Sequence, residues 1–407
     1  MIFFDDRQVN QLDPLTCVRP AALLPCGILT IAEKWERRLN RRTITHFPRV
    51  LLRKRYPNVV PGESQLWING RWVPDAAAAS RVQALLPHQA LFRGDLLLAV
   101  VTDDASFQRW SDTQQTPELW EPAQCSEGWL VERSWELLDN TSTEIERDLS
   151  VMTGLDPLMD PPPGVWVTDP HRVRVGQNVH IEPGVVLVPG DGFIVLDDGA
   201  QIQAGACLRG SANSSIYIGK GSTVRMGAQI YGGVRMGRSC KVAGELQDSI
   251  LMDYVNKTHG GFLGHSILAE WVNLGADTNT SNLKNNYTSI KVDDWHTGAL
   301  IDTGRQFLGS ILADHTKIAI GSKLNSGTQS GLFSSFIHRD FSPKRIPHFA
   351  WYTDSALEAQ TSTVSDFVVY DFDKAMAAAR IAMARRGQSL EDPMMEVFRH
   401  FHPYLSP

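Results

Sequence analysis

The sequence predicts an α/β layer domain followed by a triangular parallel β-helix, with helices at the C-terminus. Three observations predict this organisation. Segments typical of strands and helices alternate through the first 160 residues. After a run of prolines, apolar residues recur at a spacing of six, which is neither the helical period nor the alternation of a simple strand. Near the end, residues 373–386 are rich in Ala, Met and Arg, and the glycine that follows them would end a helix.

The first region carries the signals of buried strands and of an amphipathic helix. Strands are predicted at residues 2–4, 65–68 and 96–101, and a helix is predicted to begin within residues 28–35. Three consecutive prolines at 161–163 forbid either regular element and mark a boundary. The predicted domains are residues 1–160, 165–350 and 351–407.

The spacing of six in the middle region is the signature of an internal repeat. The longest run in one register is formed by five aliphatic residues, namely Ile218, Val224, Ile230, Met236 and Val242. In a triangular solenoid each hexapeptide gives one short strand and one corner, and its aliphatic residue points inward. The alternative is a β-sandwich with accidental spacing, which five consecutive positions in one register disfavour.

Composition excludes several classes of function. The chain has 407 residues and a formal charge of -6, whereas a nucleic-acid-binding protein normally has a basic face. No apolar stretch approaches the roughly 20 residues of a membrane span. The start, MIFFDDRQ, lacks the basic segment of a signal peptide. Five scattered cysteines without a C-x-x-C pair argue against a disulfide frame or a zinc site. We therefore expect a cytoplasmic protein with neither a nucleic-acid nor a membrane partner.

Two polar stretches, residues 253–261 and 273–287, interrupt the repeat. A solenoid core needs no such residues, so these stretches are the predicted site of binding and catalysis. Within them His259 is the candidate for proton transfer, since histidine exchanges a proton near neutral pH. Lys257 is a candidate to neutralise a sugar phosphate, and three asparagines are candidates to bind hydroxyls or a thioester: Asn256, Asn273 and Asn282. The alternative is a structural histidine.

These stretches also carry a family resemblance. The runs NKTHGGFLGHSILAEWVNLGADTNTSNLKNNY and LDPLTCVRPAALLPCGILTIAEKWE resemble the bifunctional N-acetylglucosamine-1-phosphate uridyltransferase/glucosamine-1-phosphate acetyltransferase family, and more closely its Bacteroidetes-type branch. The resemblance implies a nucleotidyltransferase-like first domain and a left-handed parallel β-helix. It implies acetyl transfer from acetyl-CoA to glucosamine 1-phosphate, coupled to uridylyl transfer from UTP. It also implies a homotrimer with acyl-transfer sites between subunits.

The resemblance assigns roles to individual residues of the β-helix. It makes His259 the base and Asn273 a contact of the sugar phosphate, and Tyr254, Asn256 and Lys257 complete the predicted substrate site. The residues predicted to bind acetyl-CoA are Ala276, Asn282, Ser310, Arg339 and Lys344. The last two belong to a basic cluster for which a solvated loop is the alternative.

The sequence departs from the family at several positions. Asp277 replaces a glycine, and Gln247 stands where the family has a phosphate-binding lysine. The second family lysine has no clear counterpart, although Lys284 lies close. The phosphate is therefore expected to be held differently, with Lys257 as the candidate.

The first domain departs further. Residues 4–10 replace the family's glycine-rich phosphate loop and contain no glycine. Arg19, Lys34 and Asn69 are the predicted nucleotide-binding residues, with Arg71 as another source of positive charge. An active domain would need Mg²⁺, and the sequence identifies no ligands for it. Three hypotheses follow: a bifunctional enzyme, an acyltransferase with an inactive first domain, and a nucleotidyltransferase whose β-helix is only structural or regulatory. The acyl chain length and the amino sugar stay open.

Overall fold

A computed structural model describes residues 1–56, 62–211, 213–353 and 367–405. The chain divides into two compact units, Met1–Ser134 and Trp135–Pro407. No helix in these described ranges is both long and apolar enough to cross a bilayer.

Unit 1 is an α/β domain built on one six-stranded sheet. Its helices are α1 Ile31–Leu39, α2 Ala76–Gln83 and α3 Asp104–Thr113, and its short 3-10 helices are Val9–Leu12, Ala21–Leu23 and Val50–Arg55. Its strands are β1 Ile2–Phe4, β2 Thr45–Phe47, β3 Gln65–Asn69, β4 Trp72–Val73, β5 Gln89–Arg93, β6 Leu96–Thr102, β7 Glu121–Gln124 and β8 Trp129–Leu130.

The sheet order in unit 1 is β2-β1-β3-β6-β5-β7. β2, β1 and β3 are parallel to one another, β6 is antiparallel to its neighbours, and β7 pairs in parallel with β5. The Trp67 ring on β3 stacks on Phe107 of α3 at a centroid distance of 3.8 Å, which joins a helix to the sheet. α1 begins after a capping box formed by Thr30 and Glu33. The strands predicted at the start, middle and end of this region are all present.

In its described residues, unit 2 is a parallel β-helix with three α-helices. The helices are α4 Glu136–Leu149, α5 Phe372–Ala384 and α6 Asp392–Phe401, with a 3-10 helix at Pro170–Arg172. The strands are β9 Asp156–Pro157, β10 Trp166–Val167, β11 Val173–Val175, β12 His180–Ile181, β13 Val186–Val188, β14 Ile194–Leu196, β15 Gln201–Ile202, β16 Cys207–Arg209, β17 Ile216–Ile218, β18 Thr223–Val224, β19 Gln229–Tyr231, β20 Val234–Met236, β21 Lys241–Val242, β22 Glu245–Gln247, β23 Ile250–Leu251, β24 Asn256–Lys257, β25 Phe262–Gly264, β26 Ile267–Leu268, β27 Asn273–Leu274, β28 Asn279–Thr280, β29 Lys291–Asp293, β30 Leu300–Asp302, β31 Ile311–Leu312, β32 Lys317–Ile318, β33 Lys323–Leu324, β34 Gln329–Ser330, β35 Ser335–Ile337, β36 Arg345–Ile346, β37 Ala350–Thr353 and β38 Val368–Val369.

Most of these strands form three long faces, whereas β29 and β30 form a separate antiparallel pair. Sheet I runs from β9 and β11 to β36, sheet II from β12 to β38, and sheet III from β10 to β25 with β28 and β33 paired beyond it. Within each face the strands of successive coils pair in parallel, for example β15 with β18 and β18 with β21. The inward aliphatic residues of the six-residue register form one continuous buried core. The predicted fold class, including the C-terminal helices, is confirmed.

The division between the two units falls earlier than the predicted boundary at residue 160. α4 lies with unit 2, where the Ser142 hydroxyl on this helix accepts a hydrogen bond from the Ser215 amide at 3.1 Å. The prolines at 161–163 follow β9, the first strand paired with the β-helix. They therefore mark a turn inside unit 2. The predicted third domain includes residues 354–366, which lie outside the described residues.

Candidate active site

A polar column on sheet II forms the base of the candidate site. Lys241, Asn256, Asn273 and Lys317 occupy the same register on β21, β24, β27 and β32. Each immediately precedes the inward-facing residue of its strand, so its side chain points outward. Parallel strands lie roughly 4.8 Å apart, so these four side chains follow one another closely along the outer face.

A cavity of about 570 Å³ opens over this column. Its lining residues are Arg225, Lys241, Asn256, Thr258, His259, Asn273, Lys317, Ala382, Arg385 and Arg386. We call it the cationic cavity. The structure thus brings together three of the predicted residues, His259, Asn256 and Asn273, which belong to two successive coils. The volume is in the range of small-molecule sites.

Among the described residues that line the cationic cavity, five are basic and none is acidic. Arg386 is fixed by two hydrogen bonds, from Nη2 to Asn256 Oδ1 at 2.9 Å and from Nη1 to the Ser239 carbonyl at 3.1 Å. The positive charge of Arg386, followed by burial and the charge of Arg225, lowers the pKa of Lys241. Like charges held this close favour a bound anion, since it would relieve their repulsion.

Lys317 is the most deeply placed of these cations. Its Nζ donates to the Trp271 carbonyl at 2.7 Å. Burial lowers its pKa from 10.5 to about 8. Two ammonium protons remain available in addition to the one that Trp271 accepts. Lys317 therefore stands next to Asn273 as a donor of positive charge that the sequence reading did not identify.

Lys257, which was predicted to hold the substrate phosphate, does not line the cavity. It pairs with Val242 in the inward register of sheet II, and only 1% of its surface is exposed. Its Nζ donates to the carbonyls of Ala243 at 2.9 Å and of His259 at 3.1 Å. Burial lowers its pKa to about 8. The expectation that Lys257 binds phosphate is corrected, because its place in the repeat directs the side chain into the core.

His259 lies at the rim of the cationic cavity with an exposed side chain. Its backbone carbonyl accepts a hydrogen bond from Lys257 Nζ. His259 lines the same cavity as Asn273 and Asn256. An exposed imidazole beside a cluster of cations can accept a proton from an amine whose phosphate the cations hold.

Tyr254, the remaining predicted substrate residue, belongs to a corner of the β-helix. It adopts a left-handed backbone with φ of 62°, and its ring stacks on Trp271 at 4.1 Å. The stack continues along successive coils through His315 and Phe333. Tyr254 is mostly buried and is not among the cavity residues, so its place in the structure is explained by packing.

The residues predicted to bind acetyl-CoA lie away from the cationic cavity. Asn282 donates from Nδ2 to His265 Nδ1, a separation of 2.9 Å, and the other imidazole nitrogen lies 3.5 Å from Asp248. Ser310 is fully buried, and its hydroxyl makes no hydrogen bond to any residue that the structure describes. Ala276 is half-buried and its carbonyl accepts a hydrogen bond from Gly321. None of these three lines the cavity that contains His259.

The predicted CoA-phosphate residues occupy the last coils. Lys344 donates to the carbonyl of Ser326, and burial lowers its pKa, with the charge of Lys284 adding to the effect. Arg339 is exposed in the connection between β35 and β36. Neither lines the cationic cavity.

In unit 1 the predicted nucleotide-binding residues are buried. Asn69 is fully buried and donates to Asp6 Oδ2 at 2.7 Å and to the Leu97 carbonyl at 3.1 Å. Arg71, also fully buried, pairs with Asp6 at 2.6 Å. Arg19 donates to the Leu15 carbonyl at 3.0 Å, and Lys34 is 1% exposed. The donors of Asn69 and Arg71 are therefore taken by groups of unit 1 itself.

The carboxylates of the segment that replaces the glycine-rich loop do not fit a Mg²⁺ site. Asp6 accepts hydrogen bonds from Asn69 and Arg71, and Asp5 accepts from the backbone amides of Ala21 and Arg49. Burial raises the pKa of Asp5 to about 6. Within the described ranges no three His, Cys, Asp or Glu side chains are grouped as metal ligands. Magnesium prefers several free oxygen ligands, which this arrangement does not offer.

Comparison with known proteins supports a sugar-transferase relationship. Residues 1–155 match the family model described as sugar nucleotidyl transferase. The bifunctional protein GlmU of Nostoc sp. strain PCC 7120 is 27% identical over 178 residues, which is 39% of each chain. A bifunctional sugar-1-phosphate nucleotidylyltransferase/acetyltransferase of Sulfurisphaera tokodaii is 30% identical over 90 residues, or 22% of each chain. The match spans about two fifths of the length of the GlmU relatives. The resemblance to the bifunctional family is confirmed at this level.

Solved structures offer weaker likenesses. A mutant of the N-acyltransferase AntD from Bacillus cereus, crystallised with dTDP and coenzyme A, is 10% identical, with a TM-score of 0.16 over 54% of this chain and 91% of that one. The acetyltransferase domain of PglB from Neisseria gonorrhoeae is 12% identical, with a TM-score of 0.15 over 68% and 89%. At these TM-scores neither likeness carries an argument.

Five cations of the cavity were missed by the sequence reading: Arg225, Lys241, Lys317, Arg385 and Arg386. Lys241 and Lys317 precede an inward aliphatic residue, as Asn273 does, so the repeat register itself contains the signal. Arg385 and Arg386 directly follow α5. The sequence carries no signal that this helix end comes to sheet II.

Proposed function

We propose that unit 2 transfers the acetyl group of acetyl-CoA to the amine of glucosamine 1-phosphate. The observation that carries the proposal is the single cavity in which His259 and Asn273 lie among five basic residues. A phosphate dianion suits such a cluster, and arginine offers it paired donors. The similarity to a bifunctional sugar-1-phosphate nucleotidylyltransferase/acetyltransferase favours acetyl transfer and a sugar phosphate, and the family resemblance of the sequence implies acetyl-CoA and glucosamine 1-phosphate in particular.

In the proposed reaction the cations hold the phosphate and so place the sugar amine at His259. The imidazole accepts a proton as the amine nitrogen attacks the thioester carbonyl carbon and the C–N bond forms. The C–S bond then breaks, and the imidazolium returns the proton to the departing CoA sulfur. Asn273 and Asn256 are amide donors and acceptors for sugar hydroxyls.

The test measures CoA release from acetyl-CoA in the presence of glucosamine 1-phosphate. His259→Ala should lower kcat by a factor of about 10² to 10⁴, the usual contribution of a general base. His180→Ala is the matched control, because His180 is an exposed histidine on β12 of the same sheet and does not line the cavity. Equal rates for wild type and His259→Ala would refute the assignment of the base.

We further propose that unit 2 acts as a homotrimer. Asn282 and Ser310, which the resemblance places near acetyl-CoA, lie outside the cavity of their own chain. A site that uses Asn282 together with His259 is completed when a neighbouring copy brings its Asn282, which is only half-buried, to the cavity. Light scattering should give the mass of three chains, and a monomer with full activity would contradict the shared site.

For unit 1 two functions compete. The match of residues 1–155 to sugar nucleotidyl transferases favours uridylyl transfer from UTP, giving UDP-N-acetylglucosamine. The saturated Asp6, Asn69 and Arg71 cluster favours an inactive domain beside an active acyltransferase. Pyrophosphate release from UTP and N-acetylglucosamine 1-phosphate with added Mg²⁺ decides between them. Release that requires Mg²⁺ supports uridylyl transfer, and no release under conditions where unit 2 is active supports the inactive domain.

A further inference from the structure

A second cavity adjoins the cationic cavity on sheet II. It has a volume of about 300 Å³, and Lys317 and Ala382 line both cavities. It extends toward the last coils, past the Ser335 and Trp351 positions of the same register. None of the roles proposed above uses it.

One wall of this second cavity is a face of α5. Ala375, Ala378, Ala379 and Ala382 lie on this wall, at the spacing that puts residues on one side of a helix. Their methyl groups leave the space open, whereas any larger side chain at these positions would occupy it. The cavity therefore exists because the side chains on this face of α5 are small.

The opposite wall is formed largely by apolar and aromatic side chains. Phe333, Ile337 and Trp351 lie on it, and Ile337 is 40% exposed. Lys317 stands at the junction, and its ammonium already donates to Trp271. Most of the lining offers no hydrogen-bond partner to a bound molecule.

Such a lining selects an alkyl chain. The two amides of a pantetheine arm, or the polar edge of a nucleobase, would lose their hydrogen bonds to water here without full replacement. A hydrocarbon chain has no hydrogen bonds to water to lose, and each methylene that it buries makes binding more favourable. The junction with the cationic cavity places the open end of this apolar space beside the proposed acceptor site.

We propose that this space, the acyl cavity, allows the proposed acyltransferase to accept, besides acetyl-CoA, acyl-CoA donors whose chain is longer than acetyl. The inference rests on the proposed function of the adjoining site. An acetyl methyl group, of roughly the 30 Å³ that a water molecule occupies in the liquid, would leave most of the cavity empty. The transfer step is unchanged: the amine nitrogen bonds to the acyl carbon, the C–S bond breaks, and the amine proton passes through His259 to CoA.

The test compares acetyl-, butyryl-, hexanoyl-, octanoyl- and decanoyl-CoA as donors to glucosamine 1-phosphate. The kcat/KM should rise by roughly fourfold per buried methylene and fall once the chain exceeds the cavity. A monotonic fall from acetyl onward would overturn the inference while leaving the acyltransferase function intact.

Substitutions on α5 localise the effect. Ala379→Leu and Ala378→Leu should lower the octanoyl-to-acetyl ratio of kcat/KM by at least about tenfold, because the new side chain fills the cavity. Ala378 is exposed, which protects that variant against a failure to fold. Ala377→Leu is the control, since Ala377 is an exposed residue of the same helix outside the cavity. An unchanged ratio in both cavity variants would refute the location.

A binding measurement distinguishes the acyl cavity from the proposed acyl transfer to glucosamine 1-phosphate. Calorimetry with hexanoyl-CoA and acetyl-CoA needs no turnover, so it reports on the acyl cavity even if the acceptor is wrong. Tighter binding of hexanoyl-CoA that is lost in Ala378→Leu supports the acyl cavity. Equal binding of both thioesters to wild type and variant would refute it.

Discussion

Unit 1 and unit 2 use the same residue types in opposite ways. In unit 1, Arg71 and Asn69 are fully buried, and their donors are taken by Asp6 and backbone carbonyls. In unit 2, Arg386 is half-buried and lines a cavity in which none of the described lining residues carries a carboxylate. The comparison teaches that a basic residue indicates a ligand only where the fold leaves its charge uncompensated.

The difference follows from how each fold builds its interior. A β-helix fills its core with one inward residue per hexapeptide, so its polar residues are displayed in columns on the outside. In the α/β layer, by contrast, β1 and β3 are parallel neighbours within the sheet, and the polar residues at their carboxyl ends meet at the same edge. There each charge needs a partner from the chain itself.

The largest effect is expected from breaking the ion pair of unit 1. Asp6→Ala leaves the Arg71 guanidinium buried without its carboxylate, which should lower the free energy of unfolding by about 3–5 kcal/mol. Urea unfolding of the full chain measures this loss. Asp95→Ala, at an exposed aspartate of unit 1, is the control and should change stability by less than about 0.5 kcal/mol. A small effect of Asp6→Ala would mean that this cluster is open to a ligand after all.

The matching change in unit 2 should affect binding and not stability. Arg386→Met removes a charge from the cationic cavity and should raise the KM for glucosamine 1-phosphate by about 10-fold to 100-fold, as expected for a charge-assisted contact. Lys374→Met is the matched control, since Lys374 is an exposed cation on α5 outside the cavity. If both variants changed KM equally, the cavity would be acting only through general charge.

Lys257 gives a smaller effect that depends on pH. Burial lowers its pKa from 10.5 to about 8, so between these values the unfolded chain binds more protons than the folded one. The free energy of unfolding therefore rises with pH across this window, by on the order of 2 kcal/mol for this residue. Lys257→Met should remove that share of the rise and leave the share of Lys317, whose pKa is lowered in the same way. Urea unfolding midpoints at pH 8, 9 and 10 measure this change. Identical dependence of the midpoint on pH in wild type and Lys257→Met would show that Lys257 is not buried as a cation.

The sequence was sufficient to predict the β-helix because its signal is repeated in every coil. Val224 and Val242 are in the predicted register, and each occupies the interior. The same register also places Lys257 inside, since it pairs with Val242. Lys257 was nevertheless assigned to the phosphate site because its side chain is charged. Burying a lysine ammonium costs free energy, so a lysine at an inward position of the repeat is not expected. The charge therefore favoured a surface role, whereas the repeat register places the side chain inside.

The candidate site was predictable only where it lies within the repeat. His259 and Asn273 stand in polar interruptions that the sequence reveals. Arg385 and Arg386 reach the cavity through the return of α5 to sheet II, a long-range contact that no local pattern encodes. In unit 1 the sequence supplied Asn69 and Arg71 as nucleotide ligands, but it could not reveal that Asp6 already compensates them.

The smallest expected effect is the response of the two regions to salt. Raising NaCl from 0.05 to 0.5 M shortens the screening length severalfold, from above about 10 Å to below it, so the affinity of the cationic cavity for glucosamine 1-phosphate should fall by a few fold. The Asp6–Arg71 pair lies out of water and is screened much less, so the stability difference between wild type and Asp6→Ala should stay nearly constant over the same range. Calorimetric titration measures the first quantity and urea unfolding the second. A binding constant independent of salt would mean that the cavity cations are not what holds the phosphate, and it would remove the contrast between the two units.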